Sequence, residues 1–252
     1  ALIMQDVGAA KLIKAGFPDF PLHASTQMTA NSLADVQYWY TQGFEKVVLC
    51  RELTLPEIRY ITEHAEAEVE TFIHGALCVC YSGQCIMSSM LGGRSGNRGR
   101  CAQTCRLPYA LYCGYDKVAE GHLLSPKDIA TVSILPELVE AGIASLKVEG
   151  RMKHPEYVAG VTRIYRKYLD LYASDPEEYA VSAEDQKELL QLFNRGGFTE
   201  GYYTSFGGRD MMSVERPKTW GLKDGIVDKY LPQHKKVVIR TREPLVPGDG
   251  IE

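Results

Sequence analysis

Four cysteines and four arginines share one stretch of the chain. Cys78, Cys85, Cys101 and Cys105 fall within 28 residues and are separated by six, fifteen and three residues. The stretch 74–106 carries all four, together with four arginines and no acidic side chain. Thiolates are soft ligands, and four that converge suit zinc or an iron–sulfur cluster. Structural zinc usually takes pairs two to four residues apart. Only Cys101 and Cys105 have that separation, so the spacing favours an iron–sulfur cluster over zinc.

The other three cysteines are interpreted as packing residues. Cys50 ends the apolar run VVLC, and Cys80 and Cys113 lie beside aromatic residues. Free cysteine often behaves as a small hydrophobe, and that interpretation also stays open for the quartet. Seven cysteines is an odd number and no secretory segment is visible, so a disulfide framework is disfavoured.

The arginines of the same stretch are candidate anion ligands. They are Arg94, Arg98, Arg100 and Arg106, in the segment GGRSGNRGRCAQTCR. Guanidinium groups bind phosphate or carboxylate through paired hydrogen bonds, and glycines allow close backbone approach. Two hypotheses remain open: an anion site beside the metal, or a solvated loop whose charge offsets the thiolates. The loop lacks interleaved aromatic residues, so it is only a weak signal for single-stranded RNA.

Composition places the chain among ordinary globular proteins. Of its 252 residues, 45% are hydrophobic and 24% are charged. A formal charge of −4 argues against a nucleic-acid surface over the whole body, but it allows a local basic site. No apolar run approaches the ~20 residues that span a bilayer, and no signal peptide is visible. We therefore predict a cytoplasmic protein without a membrane partner.

Strand-like and helix-like segments alternate along most of the chain. Apolar strand patterns occur at ALIMQD, FPLHAST, KVVLCRE, VETFIHG, GHLLS and ASLKVEG. Helical patterns separate most of them, and residues 155–172 repeat apolar positions with the period of a long helix that has one buried face. This alternation predicts a parallel sheet in an α/β protein. Repeats of about 20–26 residues favour a TIM-type (β/α) barrel over a doubly wound sheet.

The predicted barrel is incomplete at its N-terminal end. ALIMQD is typical of a strand already in progress, and an unpaired edge there is expected to promote self-association. We predict a barrel-like domain over 1–220, with a cysteine-rich insertion at 75–113. The beginning of a small β domain is predicted over 221–252, where GIVDKYL and KKVVIRT have strand patterns.

Polar residues follow several predicted strands. In a barrel the carboxyl ends of the strands share one rim, where active sites lie. Candidate catalytic residues there are His74, Arg51 and Glu52, and candidate anion ligands are Lys147 and Arg151. Histidine can act as a general base or a ligand, although an isolated histidine is more often structural. None of the familiar hydrolase or nucleotide-binding motifs is present.

Several motifs resemble one known family. The segment ETFIHGALCVCYSGQCIMS at 70–88 closely resembles the signature of the collagenase-like peptidase family of unknown catalytic type. The similarity extends to STQMT, RELTLPEI, GGRSGNRGRCAQTCRLPY, LLSPKDI, LKVEGRMKHPEYV and GGFTEGYY. It covers nearly the whole chain. Complete members of the family begin with further barrel strands and continue into a small β domain.

The resemblance implies one main function and two alternatives. Some members act in oxygen-independent hydroxylation of a tRNA uridine, a 23S rRNA cytidine or ubiquinone precursors, and they resemble 4Fe–4S proteins. The arginine-rich segment is most similar to the RNA-hydroxylation branch, which depends on prephenate. The implied cluster ligands here are Cys78, Cys85, Cys101 and Cys105, with RNA as substrate and prephenate as co-substrate. The alternatives are a metal-free or zinc-bound peptidase with a protein substrate, and a non-catalytic iron–sulfur scaffold that binds RNA.

Overall fold

Short strands and helices alternate through the first third of the molecule. The computed structural model describes residues 1–205, 207–242, 244–246 and 250. Its first elements are β1 (Leu2–Met4), α1 (Val7–Gly16), β2 (Leu22–Ala24), α2 (Leu33–Thr41), β3 (Lys46–Val48), α3 (Leu55–His64) and β4 (Glu68–Ala76).

Side-chain caps fix where these helices begin. Asp6 accepts a hydrogen bond from the Ala9 amide, and Ser32 accepts one from the Asp35 amide. Each bond satisfies a backbone donor that the first helical turn leaves unpaired.

The remainder of the chain adds the insertion, four further helices and seven strands. In order these are α4 (Met87–Gly92), β5 (Tyr109–Cys113), β6 (Asp116–Gly121), β7 (Asp128–Ala130), α5 (Leu135–Glu140), β8 (Ser145–Val148), α6 (Pro155–Ser174), α7 (Ala183–Leu192), β9 (Phe198–Thr199), β10 (Gly225–Leu231) and β11 (Lys236–Thr241). No described helix combines the length and the apolar character needed to cross a membrane.

The main sheet has seven strands, arranged around β4. Strands β1, β2, β3 and β4 are neighbours in chain order and run parallel. Strand β8 also pairs with β4 in parallel, whereas β7 pairs with it antiparallel and carries β9. Among the described residues no closed sheet is formed. The α/β class is confirmed, the barrel stays a prediction, and β1 lies at an edge of the sheet.

One predicted strand is wrong. In GHLLS only Gly121 lies in a strand, as the last residue of β6, and the next strand of the main sheet is β7. Residues 109–121 fold back on themselves as an antiparallel hairpin, turning at Gly114, whose φ is +62°. Hairpin pairing satisfies these backbone groups locally, so the segment does not join the main sheet.

The two predicted strands after residue 221 are confirmed as a hairpin. They are β10 and β11, which pair antiparallel as a separate two-stranded sheet. The division into a domain at 1–220 and a second one at 221–252 stays a prediction. Residues 243, 247–249 and 251–252 of that region lie outside the described residues.

The two faces of the main sheet differ in chemistry because strand side chains alternate. One face supplies Leu22, Val47 and Val69 to a core shared with buried residues of α2, α3, α5 and α6. Each such buried aliphatic side chain contributes about 1.5–3 kcal/mol. Alternate positions on the strands are polar, among them Glu70 and Lys147, whose oppositely charged side chains pair.

Candidate metal centre

The cysteine-rich insertion leaves the sheet where β4 ends and is fastened by Arg106. The guanidinium Nη2 donates to the Leu77 carbonyl at 2.8 Å, and Nη1 donates to Ser125 Oγ at 2.8 Å and to the Pro126 carbonyl. The side chain is buried, and burial lowers the pKa of Arg106. Arg106 was predicted to bind an anion. Its guanidinium instead ties Leu77, near the start of the insertion, to Ser125 and Pro126, which precede β7.

The turn between Cys80 and Cys85 is anchored by Glu52. The Glu52 Oε1 atom accepts from the Ser82 amide at 3.1 Å and from its hydroxyl at 3.3 Å. Gly83 packs so closely that a Cβ there would lie 2.7 Å from the Gln27 carbonyl oxygen, and its φ is +78°. Glycine alone fits such a position without strain. Glu52, a candidate catalytic residue, therefore fixes the loop that carries the cysteines.

The four predicted ligands lie close enough to influence one another electrostatically. Burial raises the pKa of Cys78 and of Cys105, and the charges of Cys85 and Cys101 raise both further. All four thiols are free. Within the part of the chain that the structure describes, no three His, Cys, Asp or Glu side chains are arranged to hold a single ion. Ligation by the quartet therefore stays a prediction.

The other cysteines divide into three environments. Cys50 is buried in the core, as predicted for a packing residue. Cys80 is half-buried, and its pKa is raised by burial and then by the neighbouring Cys85. Cys113 is exposed on β5, so its predicted packing role is wrong. Cys80 is thus a fifth thiol at the centre.

Arg51 joins the cysteine centre to the end of β8. Its Nη1 atom contacts Cys78 Sγ at 3.9 Å, and its Nη2 atom lies 3.9 Å from Glu149 Oε2. The guanidinium carbon lies 3.9 Å from the centre of the Phe72 ring, and the side chain is only 9% exposed. Arg51 Nε is buried and has no hydrogen-bond partner among the described residues. Within the part of the chain that the structure describes, this enclosed cation packs on Phe72 and makes long contacts, of 3.9 Å, to Cys78 and Glu149.

Lys147 lies nearby but already has a carboxylate partner. Its Nζ atom donates to Glu70 Oε1 at 2.7 Å, and Ser145 Oγ donates to Glu70 Oε2 at 2.7 Å. The hydrogen bonds from Lys147 and Ser145 lower the pKa of Glu70 against the opposing effect of burial. Lys147 also lies 5.6 Å from the centre of the Phe72 ring, so Arg51 and Lys147 share one aromatic neighbour.

His74 lies in the core, away from solvent. The side chain is fully buried, and its ring packs against the rings of Tyr157, Tyr165 and Phe198. Burial lowers the pKa of His74 to about 3, and the charge of Lys153 adds to the effect. The imidazole is therefore neutral and enclosed, so a substrate on the surface cannot reach the predicted catalytic base.

Three arginines of the insertion are exposed and lie near Arg151. These three are Arg94, Arg98 and Arg100. Arg94 Nε donates to the Arg100 carbonyl at 3.0 Å, and Arg151 Nη2 donates to the Gly99 carbonyl at 2.6 Å. The Arg151 amide also donates to Glu149 Oε1 at 3.0 Å. The predicted anion ligands Arg94, Arg98, Arg100 and Arg151 thus form one group, called here the exposed arginine cluster.

Three charged groups near the centre remain, and two of them, Arg195 and Lys153, were missed by sequence reasoning. Asp128 and Arg195 form a buried pair, with Arg195 Nη1 at 2.7 and 2.9 Å from the two carboxylate oxygens. Lys153 packs against the Phe193 and Tyr157 rings, and burial lowers its pKa to about 7. The motifs LLSPKDI and LKVEGRMKHPEYV contain Asp128 and Lys153, but the partners come from distant parts of the chain.

Comparison with known proteins identifies relatives along most of this chain. The tRNA hydroxylation protein P1 of Bacillus subtilis is 37% identical over 245 aligned residues, which cover 93% of this chain and 58% of the relative. The 23S rRNA 5-hydroxycytidine C2501 synthase of Escherichia coli is 39% identical over 259 residues, covering 100% of this chain and 39% of the relative. A collagenase of Porphyromonas gingivalis is 34% identical over 219 residues, which cover 81% of this chain and 52% of the relative.

These relatives are longer than the chain, which spans between 39% and 58% of their length. No solved structure matches the chain. The model of peptidase family U32 matches residues 1–213, which include the whole insertion and all four predicted cysteine ligands. On that match, the chain belongs to peptidase family U32.

Proposed function

We propose that this chain is part of an iron–sulfur protein that hydroxylates bases of tRNA or rRNA without oxygen. The observation that carries the proposal is the group of four free, neighbouring thiols on one insertion, beside the exposed arginine cluster. Relatives named for tRNA hydroxylation and for 5-hydroxycytidine synthesis in 23S rRNA support the same reaction class.

The donor set suits a 4Fe–4S cluster. Such a cluster takes four cysteine thiolates, and Cys78, Cys85, Cys101 and Cys105 are free. Burial opposes ionisation of Cys78 and Cys105, whereas the positive charge of Arg106 favours both thiolates and that of Arg51 favours the Cys78 thiolate. When bound, a cluster of this kind supplies one-electron transfer. The protein's part is to hold the thiolates and to offset their charge.

The exposed arginine cluster would bind the anionic substrates. Guanidinium groups recognise phosphate and carboxylate alike. Phosphates of an RNA strand and the two carboxylates of prephenate therefore match this surface, with prephenate as a candidate co-substrate. Because the formal charge of the whole chain is −4, the proposed attraction comes from this local cluster and not from the net charge.

Proteolysis is the second candidate function, because a collagenase is among the relatives and the family is named for peptidases. Of the three predicted catalytic residues, His74 is enclosed and Glu52 anchors a loop. A peptidase would therefore need other residues for its chemistry. Activity that depends on the cysteines separates the two functions, since proteolysis at a site away from the cysteines would survive their replacement.

The deciding experiment uses the full-length protein in cells that lack its gene. Wild type, Cys101→Ala and Cys113→Ala are each expressed, and hydroxylated nucleosides of total tRNA and rRNA are measured by mass spectrometry. We expect wild type and Cys113→Ala to restore hydroxylation and Cys101→Ala to restore none. Iron and sulfide content of the anaerobically purified proteins is measured in parallel. Normal hydroxylation without the gene, or with Cys101→Ala, would refute the proposal.

A further inference from the structure

Arg51 is an unusual cation for the inside of a protein. A buried guanidinium normally uses its five donors in short hydrogen bonds, of about 2.7–3.2 Å to oxygen. Here the two contacts of its terminal nitrogens, to Cys78 Sγ and to Glu149 Oε2, are each 3.9 Å long. The Nε donor has no partner within the described residues. Burying a charge without short hydrogen bonds is costly. We therefore expect a further anionic group next to Arg51.

The four predicted cluster ligands, Cys78, Cys85, Cys101 and Cys105, would supply that anionic group. Arg51 contacts one predicted ligand directly, since its Nη1 atom lies 3.9 Å from Cys78 Sγ. The contact of the guanidinium with the Phe72 ring and the hydrogen bond from the Arg51 amide to Ser82 Oγ restrict where the side chain can go. The guanidinium is therefore held beside Cys78 before any ligand arrives.

We propose that Arg51 is a positioning residue that donates a hydrogen bond to the Cys78 thiolate and raises the reduction potential of the cluster held there. This inference rests on the proposed function, because it requires the cluster. Reduction adds one electron, and hence one negative charge, to the cluster and its thiolates. A buried cation and a hydrogen bond to a ligand sulfur both stabilise that extra charge. Glu149 opposes the effect, since its carboxylate competes for the same guanidinium.

The test compares Arg51→Gln and Arg51→Lys with wild type. The proteins are reconstituted anaerobically, their iron and sulfide are measured, and the midpoint potential is titrated with dithionite and followed by visible absorption. Arg51→Gln removes the charge, so its potential should shift to more negative values. Arg51→Lys keeps the charge, so its shift should be smaller. Arg59→Gln is the control, because it removes the same charge from the exposed face of α3 and should leave the potential unchanged.

Each outcome decides the matter. A loaded and folded Arg51→Gln protein with the wild-type potential overturns the role of Arg51 while leaving the cluster intact. If Arg51→Gln does not retain the cluster, Glu149→Gln is titrated instead. That variant removes the carboxylate that competes with Cys78 for the Arg51 guanidinium, so the midpoint potential should shift to less negative values. An unchanged potential overturns the proposal. Wild-type protein without iron and sulfide overturns the cluster and this proposal together.

Discussion

At the scale of single residues, the centre is surrounded by charged side chains whose environments differ greatly. Asp128 and Arg195 are both buried and satisfy each other at hydrogen-bonding distance. The Lys153 ammonium group instead packs against aromatic rings, and burial lowers the pKa of Lys153. Neighbouring cations therefore have different energetic roles, which substitutions can separate.

Removing Arg195 should be far more damaging than removing a surface arginine. Arg195→Ala would leave the Asp128 carboxylate, only 1% exposed, buried without its partner. Breaking such a pair costs about 3–5 kcal/mol. The matched control is Arg163→Ala, whose partner Glu188 lies at the surface and whose loss should change the free energy of unfolding little. Urea unfolding measures both, and equal costs would contradict the importance of the buried pair.

Lys153 should make stability depend on pH. Its folded pKa of about 7 lies below the ordinary 10.5, so above pH 7 the unfolded state binds more protons. The free energy of unfolding of wild type, relative to Lys153→Met, should therefore rise as pH increases from 7 to 8.5. Urea titrations of the two proteins at several pH values measure this difference. A difference that stays constant with pH would show that the Lys153 pKa is not depressed.

At the scale of elements, β4 is the strand on which the site depends. It pairs with β3, β7 and β8, and its end leads directly into the insertion. Just beyond β8 the chain passes close to Gly75, where φ is +112° and a Cβ would lie 2.5 Å from the Glu149 carbonyl oxygen. That position brings the end of β8, with Glu149, against the end of β4, and so sets where Arg51 finds its carboxylate neighbour.

Gly75→Ala should destabilise the protein and disturb the centre. The new methyl group would collide with backbone, and the positive φ disfavours any side chain, so we expect a loss of at least about 1–3 kcal/mol. Gly16→Ala lies at the C-terminal end of α1, where the new methyl group would meet open space. This substitution should instead raise the free energy of unfolding by about 0.4–1 kcal/mol. Thermal and urea unfolding of both variants test this. A neutral Gly75→Ala would mean that β8 can move away from β4 at no cost.

At the scale of the whole molecule, charge is distributed unevenly. The chain is acidic overall, yet 74–106 has no acidic side chain, and the exposed arginine cluster includes three of its arginines. Arg151 ties this surface to the end of β8 through the Gly99 carbonyl. An anion that binds there would therefore lie near Glu149 and Arg51, and so near the cysteines.

RNA binding should depend on salt through these exposed arginines. Replacing Arg98 by Gln should weaken binding of a single-stranded RNA several-fold and reduce the slope of log affinity against log salt by about 0.7. Arg163→Gln removes the same charge elsewhere and should change the slope little. Fluorescence anisotropy between about 50 and 200 mM salt gives both slopes. Identical slopes for wild type and Arg98→Gln would remove Arg98 from the RNA surface.

The sequence by itself determined the class of the fold and the candidates for the site. Apolar runs separated by helical periods predicted the alternating elements. The stripe on α6 correctly predicted a buried face with Tyr157, Ile164 and Tyr168, whereas Val158, predicted for the same face, is exposed. The spacing of the cysteines singled out the insertion. These features are local, since period, caps and turn residues act within a few positions of the chain.

Only the tertiary structure decided which candidate residues contact one another and which already have partners within the protein. Arg106 and Arg98 are the same residue type in one segment, but Arg106 is buried against carbonyl groups and Arg98 is exposed. His74 was expected at an open rim and is enclosed by rings from α6 and β9. Burial and long-range partners determine such roles, because solvation and electrostatic energy depend on groups that lie far apart along the chain.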